Sequence, residues 1–493
     1  MNRKILLTLS TLTIIFNLAL SQIPILGNEF LIETKTDSTF AFSGAYDSQK
    51  YLVVLRKELP TGEAEIIAQF HSKIDNSLIG NPIVLGKTKI PTTNFENGIP
   101  QCAFDGNRFL VVWTDGENGG IKYRFINAQT FELSNLYSDS TYPCYLGGIS
   151  TLHFNSNINK YFLVSTIKVA NSYYLTGVFI RPDGFMENSF QISNIQSRHE
   201  FSVAYGGSKY LVCFPRETGD YDNEIWGQML SENGTPIGSS FMIDGSPEPS
   251  DNPLFVVYDG AKFICFFPDE DSTGWKVYAK FINTDGTVQN SRPLITSNAW
   301  LVPYALVNNG EILFASTNLG SNPNVIGRFF DLSLNPKSDE FVIFEPTAGK
   351  IPMGSFIVHG DGKYIVFTTK VELAFTPDSI LYLTNGDVYG RTISPITEVE
   401  INNEKPIKFE LSQNYPNPFN PETNITFSLP FRTNVKIEVF DLSGKKVAVA
   451  VDGTYEPGIH TIKFKANGLP SGVYIYKIQA GNFSDLKKMV VIK

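Results

Sequence analysis

The segment FDGNRFLVVW (104–113) recurs along the chain as YGGSKYLVCF (205–214), YDGAKFICFF (258–267) and HGDGKYIVFT (359–368). Each copy has a tight Gly/Asp turn, a Lys or Arg, an aromatic residue and then an apolar strand. Weaker copies occupy 46–55, 154–164 and 307–315. The aligned positions are Tyr51, Phe109, Tyr161, Tyr210, Phe263, Ile312 and Tyr364. A period near 50 residues is typical of a propeller or a repeat array.

The remainder of each repeat adds further short strands. A second apolar strand reads IWGQML (225–230) or VIGRFF (325–330), and a Gly turn follows it. A last short strand reads FQIS (190–193), FMID (241–244) or FVIF (341–344). Each repeat therefore holds about four strands separated by turn residues, which is the content of one propeller blade.

The two ends of the array indicate how it closes. The seventh copy lacks its last short strand after Ile393, while the similar segment FLIE (30–33) stands before the first copy. We expect FLIE to be the outer strand of the last sheet, because this removes exposed edges. The sequence thus predicts an all-β chain with a seven-bladed β-propeller at residues 22–395. An open stack or a pair of β-sandwiches is the alternative. The repeats resemble a widespread repeat of secreted bacterial proteins, which specifies fold rather than activity.

Composition narrows the class of protein. The chain has 493 residues, of which 18% are charged and 13% aromatic. These values exclude a disordered chain, a coiled coil and a collagen, and they argue against a helical bundle. The net charge of −9 argues against generic nucleic-acid binding, so no nucleic-acid partner is expected.

The first 21 residues read as a secretory signal peptide. Arg3 and Lys4 precede an apolar stretch from Ile5 to Leu20, and small residues then favour cleavage before Gln22. The alternative, a membrane anchor, is disfavoured because the apolar stretch is short and interrupted. We therefore expect the Sec translocon to export the chain.

The four cysteines form no metal-binding pattern, since no CxxC pair occurs and no His lies at ligand spacing. Cys102 and Cys144 each lie just before a strand of consecutive repeats, so these two can form a disulfide in an exported protein. Cys213 and Cys265 lie inside strands one residue out of phase. Their side chains should therefore face opposite sides.

Carboxylates collect in the loops between the second and third strands of the repeats, which should surround one mouth of the channel. The candidate ligand-binding residues are Asp115, Glu117, Glu217, Asp220, Tyr221, Asp222, Asp269, Asp271 and Trp275. Aromatic faces and carboxylates on one rim suit a glycan or a Ca²⁺-assisted ligand. The alternative is an acidic, solvated rim without a ligand.

Motifs of catalysis are absent from the sequence. There is no G-x-S-x-G elbow, and His199-Glu200 is not followed by a second His at HExxH spacing. A glycan hydrolase using the rim would need two carboxyl groups about 5–10 Å apart. No metal site and no cofactor are predicted, apart from Ca²⁺ at the rim.

The period of 50 residues stops at a polar linker, residues 396–408. Residues 409–493 then read as short alternating strands, which predict a small immunoglobulin-like β-sandwich. The stretch QNYPNPFNPETNITFSLP (413–430) resembles the C-terminal sorting domain of the type IX (Por) secretion system, type A. LPSGVYIYKI and the terminal KKMVVIK agree with it. The sorting motif is carried by Tyr415, Pro416, Asn417, Pro418, Phe419, Asn420, Pro421, Gly472, Lys487 and Lys488.

Proline fixes φ, so Pro416, Pro418 and Pro421 should hold an extended entry strand, which Tyr415 and Phe419 anchor. The resemblance implies export through the periplasm and translocation across the outer membrane by the type IX machinery. It also implies removal of the domain by a sortase-like protease, in or near the linker, and attachment to surface lipopolysaccharide.

Three functions are consistent with these observations. The leading hypothesis is a secreted or cell-surface propeller that binds a polysaccharide or protein and has no catalytic role. The second is a glycan-active enzyme, a hydrolase or lyase, that uses carboxylates at the channel mouth. The third is a structural surface protein without a small ligand.

Overall fold

The computed structural model divides the chain into two compact units, Met1–Pro395 and Ile396–Lys493. It describes residues 24–33, 39–89, 99–115, 120–139, 144–145, 151–169, 172–197, 201–217, 223–245, 254–271, 274–297, 301–318, 322–347, 349–360, 362–375, 381–394, 409–414, 416–429, 433–455, 458–481 and 483–492. These residues form strands and turns, which confirms the predicted all-β class. No helix in this part of the chain has the length and apolarity needed to cross a bilayer.

The described part of the first unit contains 29 strands. In chain order they are β1 (Ile25–Glu33), β2 (Thr39–Tyr46), β3 (Lys50–Glu58), β4 (Glu63–Ser72), β5 (Leu78–Lys89), β6 (Gln101–Phe104), β7 (Arg108–Thr114), β8 (Ile121–Asn127), β9 (Tyr137–Asp139), β10 (Cys144–Tyr145), β11 (Leu152–Asn155), β12 (Lys160–Val169), β13 (Ser172–Ile180), β14 (Phe190–Gln196), β15 (Ser202–Gly206), β16 (Lys209–Glu217), β17 (Asn223–Ser231), β18 (Pro236–Asp244), β19 (Phe255–Tyr258), β20 (Lys262–Asp271), β21 (Gly274–Asn283), β22 (Leu294–Thr296), β23 (Leu301–Asn308), β24 (Glu311–Asn318), β25 (Asn324–Asp331), β26 (Phe341–Phe344), β27 (Ile351–Gly360), β28 (Lys363–Phe375) and β29 (Leu381–Ser394).

These strands build seven antiparallel sheets within the described residues. The first to sixth sheets are β2–β5, β6–β9, β10–β14, β15–β18, β19–β22 and β23–β26. The seventh sheet has the order β27-β28-β29-β1. In the third sheet the two short strands β10 and β11 both pair with β12. Six sheets are thus consecutive in sequence, and the seventh takes its outer strand from the beginning of the chain.

The strand β1 occupies the outer edge that was predicted for FLIE. Phe30 pairs with Gly390 in the same way that Phe241 pairs with Gly227 on the fourth sheet. A Cβ on Gly390 would lie 2.5 Å from Cζ of Phe30, so only glycine leaves room for this ring. Phe30 therefore fills the position that Phe190, Phe241 and Phe341 occupy on the outermost strands of the third, fourth and sixth sheets, each opposite a glycine.

The innermost strands contact one another in a closed sequence. Along the chain β2 contacts β6, β6 contacts β11, and so on through β15, β19, β23 and β27, which returns to β2. Side-chain bonds support this contact: Ser43 Oγ accepts a hydrogen bond from the backbone N–H of Cys102, and Ser202 Oγ accepts one from Val256, each at 3.1 Å. Within the described residues, the innermost strands of the seven sheets therefore form a closed series of contacts.

The aligned positions of the repeat fill the spaces between neighbouring sheets. All seven are fully buried, and each belongs to a different one of the seven apolar clusters of this unit: Tyr51, Phe109, Tyr161, Tyr210, Phe263, Ile312 and Tyr364. Burying a side chain of this size stabilises the fold by about 1.5–3 kcal/mol. The repeat thus places one large buried side chain in each interface between neighbouring sheets.

The Lys or Arg of the repeat closes the turn before it. In the fifth sheet Asp259 Oδ1 accepts hydrogen bonds from the backbone N–H groups of Ala261 and Lys262, both at 2.8 Å. Lys262 Nζ returns to Asp259 Oδ2 at 2.8 Å and also donates to Leu332 O of the sixth sheet at 3.3 Å. The same turn and ion pair occur at Asp47 with Lys50 and at Asp105 with Arg108. The consensus therefore stabilises a hairpin, and in the fifth sheet it also contacts the next sheet.

The cysteines correct the disulfide expectation. Cys102 is a buried free thiol whose Sγ lies 3.4 Å from Ser43 Oγ, so it is not bonded to Cys144, whose side chain lies outside the described residues. Cys213 and Cys265 are buried free thiols in one apolar cluster between the fourth and fifth sheets. They do face opposite sides of their own sheets. Because opposite faces of neighbouring sheets meet, this brings the two thiols into the same interface.

The second unit has two antiparallel sheets around one core. Its strands are β30 (Glu410–Leu411), β31 (Glu422–Leu429), β32 (Thr433–Phe440), β33 (Lys446–Tyr455), β34 (Gly458–Lys465), β35 (Gly472–Ala480) and β36 (Phe483–Val491). The orders are β30-β31-β34 and β33-β32-β35-β36. Ile425, Ile437 and Tyr476 are among the fully buried residues of the single core that both sheets share.

Candidate functional site

The inner strands of all seven sheets line a central cavity with a volume of about 330 Å³. Its polar lining residues are Ser43, Gln101, Cys102, His153, Tyr205, Tyr258 and Tyr304. The remaining lining residues are apolar or glycine, including Leu152, Phe255 and Ile357. The cavity therefore lies where the innermost strands of the seven sheets come together.

The described lining of this cavity holds no Asp, Glu, Lys or Arg. Burial raises the pKa of the Cys102 thiol to about 12, although the hydrogen bond with Ser43 acts in the opposite direction. Burial also raises the pKa of Tyr304, and nearby Cys102 raises it further. Both groups are therefore neutral at physiological pH, and the cavity offers no thiolate nucleophile.

The mouth that carries the predicted carboxylates is only partly described. Glu117, Asp220, Tyr221 and Asp222 lie outside the described residues, and only the backbone is described for Glu217 and Asp271. Trp275 is half-buried in β21, opposite Glu270 in the ladder. Two carboxylates remain, Asp115 on the second sheet and Asp269 on the fifth.

Both of these carboxylates have cationic partners. Asp115 Oδ2 lies 2.9 Å from Lys122 Nζ. Asp269 is buried and bonded to Arg292, which also reaches Asp244 Oδ2 on the fourth sheet at 3.1 Å. Each carboxylate is thus neutralised by a neighbouring cation. Neither has the unpaired state that a general acid or base would need.

Arg292 is a residue that the sequence analysis missed. Its guanidinium lies 3.9 Å from the centroid of the Tyr278 ring and joins carboxylates of two sheets. Burial alone would lower the pKa of Arg292, but the hydrogen bond to Asp269 and the charge of Asp244 outweigh it and raise the pKa. The cluster therefore links the fourth and fifth sheets. No sequence signal pairs an Arg 23 positions away with Asp269.

Within the described ranges, no group of three or more His, Cys, Asp or Glu residues is placed to hold a metal ion. The Ca²⁺ expectation concerned rim loops that lie largely outside those ranges, so it remains a prediction.

The sorting motif joins the end of the chain to the beginning of the second unit. Asn417 Oδ1 accepts a hydrogen bond from Val490 N at 2.8 Å, and its Nδ2 donates to Lys488 O at 3.3 Å. Phe419 is buried in the core, and its backbone bonds Val490 O and Ile492 N at 3.0 Å each. The motif therefore holds the terminal strand β36 through backbone groups.

A second set of bonds fixes the turn before the motif. Asn414 is buried, and its Nδ2 donates to Pro416 O at 3.1 Å and to Thr423 Oγ1 at 2.9 Å. The Tyr476 hydroxyl accepts from Asn414 N and donates to Ser412 O, both at 2.8 Å. Sequence reasoning missed Asn414 and Tyr476, although both lie in the segments that carry the resemblance.

The prolines differ from expectation. Pro416, Pro418 and Pro421 lie in a series of bends and not in an extended strand, since side-chain bonds from Asn414 and Thr423 hold the chain in turns. Pro416, Pro418, Asn420 and Pro421 are exposed, and Tyr415 lies outside the described residues. Gly472 begins β35, and Lys487 pairs with Asp485 at 3.5 Å.

Comparison with known families decides the nature of the second unit. Residues 413–493 match the family model described as "Secretion system C-terminal sorting domain". Residues 413–493 are a type IX sorting domain. The sorting domain implies interaction with the type IX secretion machinery and secretion across the outer membrane.

Several solved structures are similar to a large share of this chain. A polysaccharide lyase of family PL25, an ulvan lyase bound to -[GlcA(1-4)Rha3S]-, is similar over 72% of this chain and 96% of its own, with 9% identity and a TM-score of 0.50. The polysaccharide lyase Uly1 covers 75% and 99% (9% identity, TM-score 0.45). The phage phi92 endosialidase covers 87% and 75% (11%, 0.44). At these identities the first comparison supports a propeller-like fold and no activity. No curated protein matches the chain in sequence.

Proposed function

We propose that this protein is a secreted or cell-surface cargo of the type IX secretion system whose first unit binds a polysaccharide or protein ligand. The sorting domain at 413–493 carries the proposal. In the proposed route, residues 1–21 direct the chain to the Sec translocon and residues 409–493 engage the type IX machinery. A sortase-like protease cuts in the 396–408 linker, and surface lipopolysaccharide receives the cargo.

In this proposal the first unit is a closed seven-bladed β-propeller. The seven sheets, the return of β27 to β2 and the pairing of β1 with β29 support it. The second unit is proposed as an immunoglobulin-like sandwich. Its division into three and four antiparallel strands around one core supports that assignment.

The ion pairs of the rim carboxylates favour a binding function over a catalytic one. Of the predicted ligand-binding carboxylates, the two whose side chains are described, Asp115 and Asp269, are both ion-paired. The alternative function is a glycan-active enzyme, a hydrolase or lyase like the polysaccharide lyases of similar fold. It would require a pair of unneutralised carboxyl groups among the predicted rim residues whose side chains are not described, which are Glu117, Glu217, Asp220, Asp222 and Asp271.

Deletion of residues 409–493 tests the sorting claim. We expect the truncated chain to accumulate in the periplasm, whereas the full chain reaches the surface or the medium. A matched control replaces Lys463, an exposed residue of the same domain, with Ala and should be exported normally. Surface exposure of the truncated chain at the full-length rate would contradict the proposal.

A second experiment tests ligand binding against catalysis. The mature full chain is applied to a glycan array and incubated with the same polysaccharides, and reducing ends and unsaturated products are measured. The proposal predicts binding without turnover. Sustained turnover that disappears in the Asp220→Asn or Glu217→Gln variant would favour the enzyme instead.

A further inference from the structure

The outermost strand of the third sheet differs from those of the other sheets. On the fourth sheet, β18 gains one extra residue between Ile225 and Trp226 and, at a separate place, two more between Gly227 and Met229. On the third sheet, Thr176 faces Gln191 but Tyr174 faces Gln196. Five steps along β14 therefore match two steps along β13. The three extra residues make the chain bulge at residues 192–195.

This bulge borders two adjoining cavities, which share Gln191 and Asn194. The first has a volume of about 390 Å³ and lies between β14 and the segment 236–240 of β18. The second has a volume of about 490 Å³ and is lined by Tyr174, Thr176 and Phe190 among others. We call the two cavities together the β14 groove. Because the two cavities adjoin at Gln191 and Asn194, the groove can hold an extended ligand rather than a small ion.

The lining of the β14 groove consists of amides, hydroxyls and apolar surface. No charged side chain of the described residues lines either cavity. The Asn194 amide is exposed, and neither it nor the Ser239 hydroxyl hydrogen-bonds a described protein atom. Saccharides present hydroxyls for amides and apolar ring faces for aromatic side chains. A polyanion would instead require Lys or Arg.

A chain of hydrogen bonds fixes the wall of this groove. Ile195 N donates to Ser193 Oγ at 3.1 Å, Ser193 Oγ contacts Ser240 Oγ at 2.9 Å, and Ser240 Oγ donates to Gln228 Oε1 at 2.7 Å. Gln228 is buried, and its Nε2 bonds Met229 O at 3.0 Å. Since residues of two sheets hold the bulge in place, little conformational entropy is lost when a ligand binds.

A protein strand is a less suitable occupant of the same edge. Strand addition needs a regular row of free backbone groups, and a bulge interrupts such a row. At β14 the regular pairing is broken between Gln191 and Gln196. The groove therefore favours recognition through side chains.

We propose that the β14 groove binds an uncharged oligosaccharide, with Asn194 and Ser239 bonding its hydroxyls and Tyr174 packing on a sugar ring. This inference rests on the proposal that the first unit binds a ligand. It differs in placing the site on the flank of the third and fourth sheets and not at the acidic mouth.

Calorimetric titration of the mature full chain tests the inference. The probes are cellohexaose, laminarihexaose, xylohexaose and mannohexaose, with polygalacturonate and chondroitin sulfate as charged comparators. We expect binding of at least one uncharged probe, weakened about 3- to 10-fold by Asn194→Ala because one or two hydrogen bonds are lost. Tyr174→Ala should weaken binding more than Tyr174→Phe, which keeps the ring. The matched control is Asn81→Ala, an exposed Asn on the outermost strand of the first sheet.

Three outcomes would overturn the inference. Unchanged affinity in both the Asn194 and Tyr174 variants would remove the groove but leave a ligand-binding protein. Binding of the charged comparators alone would move the site to another surface. Binding of none of the uncharged probes by the wild-type chain would remove the saccharide assignment, while the export claim would stand on its own test.

Discussion

Glu29 and Lys370 are 341 positions apart in sequence, and Glu29 Oε2 lies 2.8 Å from Lys370 Nζ. The Lys370 side chain is fully buried, and its ammonium group also lies 4.7 Å from the centroid of the Tyr389 ring. Glu29 is therefore the counter-charge that a strand from the start of the chain supplies to a lysine in the last sheet.

Replacing Glu29 with Ala should destabilise the first unit strongly. The change leaves a buried ammonium group without its partner, which costs about 3–5 kcal/mol in comparable cases. Urea unfolding measures the loss. The matched control is Glu63→Ala, which removes an exposed ion pair with Lys87 and should cost under about 1 kcal/mol. Equal effects of the two variants would mean that Glu29 is not needed. The double variant Glu29→Ala/Lys370→Met should recover stability.

Stability should fall in mild acid because of His71. Burial lowers the pKa of His71 below its usual 6.5. Between this lowered pKa and 6.5, the unfolded chain therefore binds a proton at His71 that the folded chain does not, so stability is lost as the pH falls through that window. The His71 ring stacks on Tyr51 with centroids 5.4 Å apart, a contact that Phe can keep. We expect His71→Phe to lose less stability than wild type between pH 7 and pH 5. An identical pH dependence would contradict this.

Three cysteine thiols should not react with thiol reagents while the protein is folded. Cys102, Cys213 and Cys265 are buried, and burial raises the pKa of Cys102 to about 12. Reaction with a chromogenic disulfide reagent at pH 8 should therefore reveal these three thiols only after denaturant is added. The Cys102→Ser variant should lower the denatured count by one and leave the native count unchanged. Rapid native reaction of more than one thiol would contradict the burial.

Asn417 should stabilise the end of the sorting domain. Its side chain bonds backbone groups at Val490 and Lys488, so Asn417→Ala leaves a part-buried N–H without a partner, at about 1–3 kcal/mol. Amide exchange of peptides from β36 should accelerate. Asn420→Ala is the control, since Asn420 is exposed and bonds no described side-chain or backbone partner. Equal protection in the two variants would show that Asn417 does not hold β36.

The sequence predicted the repeat units well because each copy carries the same physical requirements. The Phe of FLIE matched the Phe of FMID, and in the structure Phe30 and Phe241 both cover a glycine of the neighbouring strand in their sheet. The turns could be predicted equally well, because Asp259 and Lys262 bond to each other and to backbone groups within the same turn.

The site was less predictable, because it depends on which sheets meet. Alternation along a strand gives the two faces of a sheet but does not say which faces the cavity, so His153 and Tyr304 were not identified. Cys213 and Cys265 do face opposite sides of their own sheets, but the sequence could not show that these two faces meet in one apolar cluster. Asp269 looked like a rim carboxylate, whereas Arg292 draws it into a buried ion pair.

An engineered disulfide between the two ends of the first unit tests ring closure most directly. Ile25 pairs with Ser394 in the ladder between β1 and β29. We expect Ile25→Cys/Ser394→Cys to cross-link in oxidised glutathione and to migrate faster on non-reducing gels, because the bond closes a loop of nearly the whole unit. Ile25→Cys/Leu294→Cys, whose second residue is exposed on the fifth sheet, should not cross-link. Equal cross-linking of both pairs, or of neither, would contradict a ring that β1 closes.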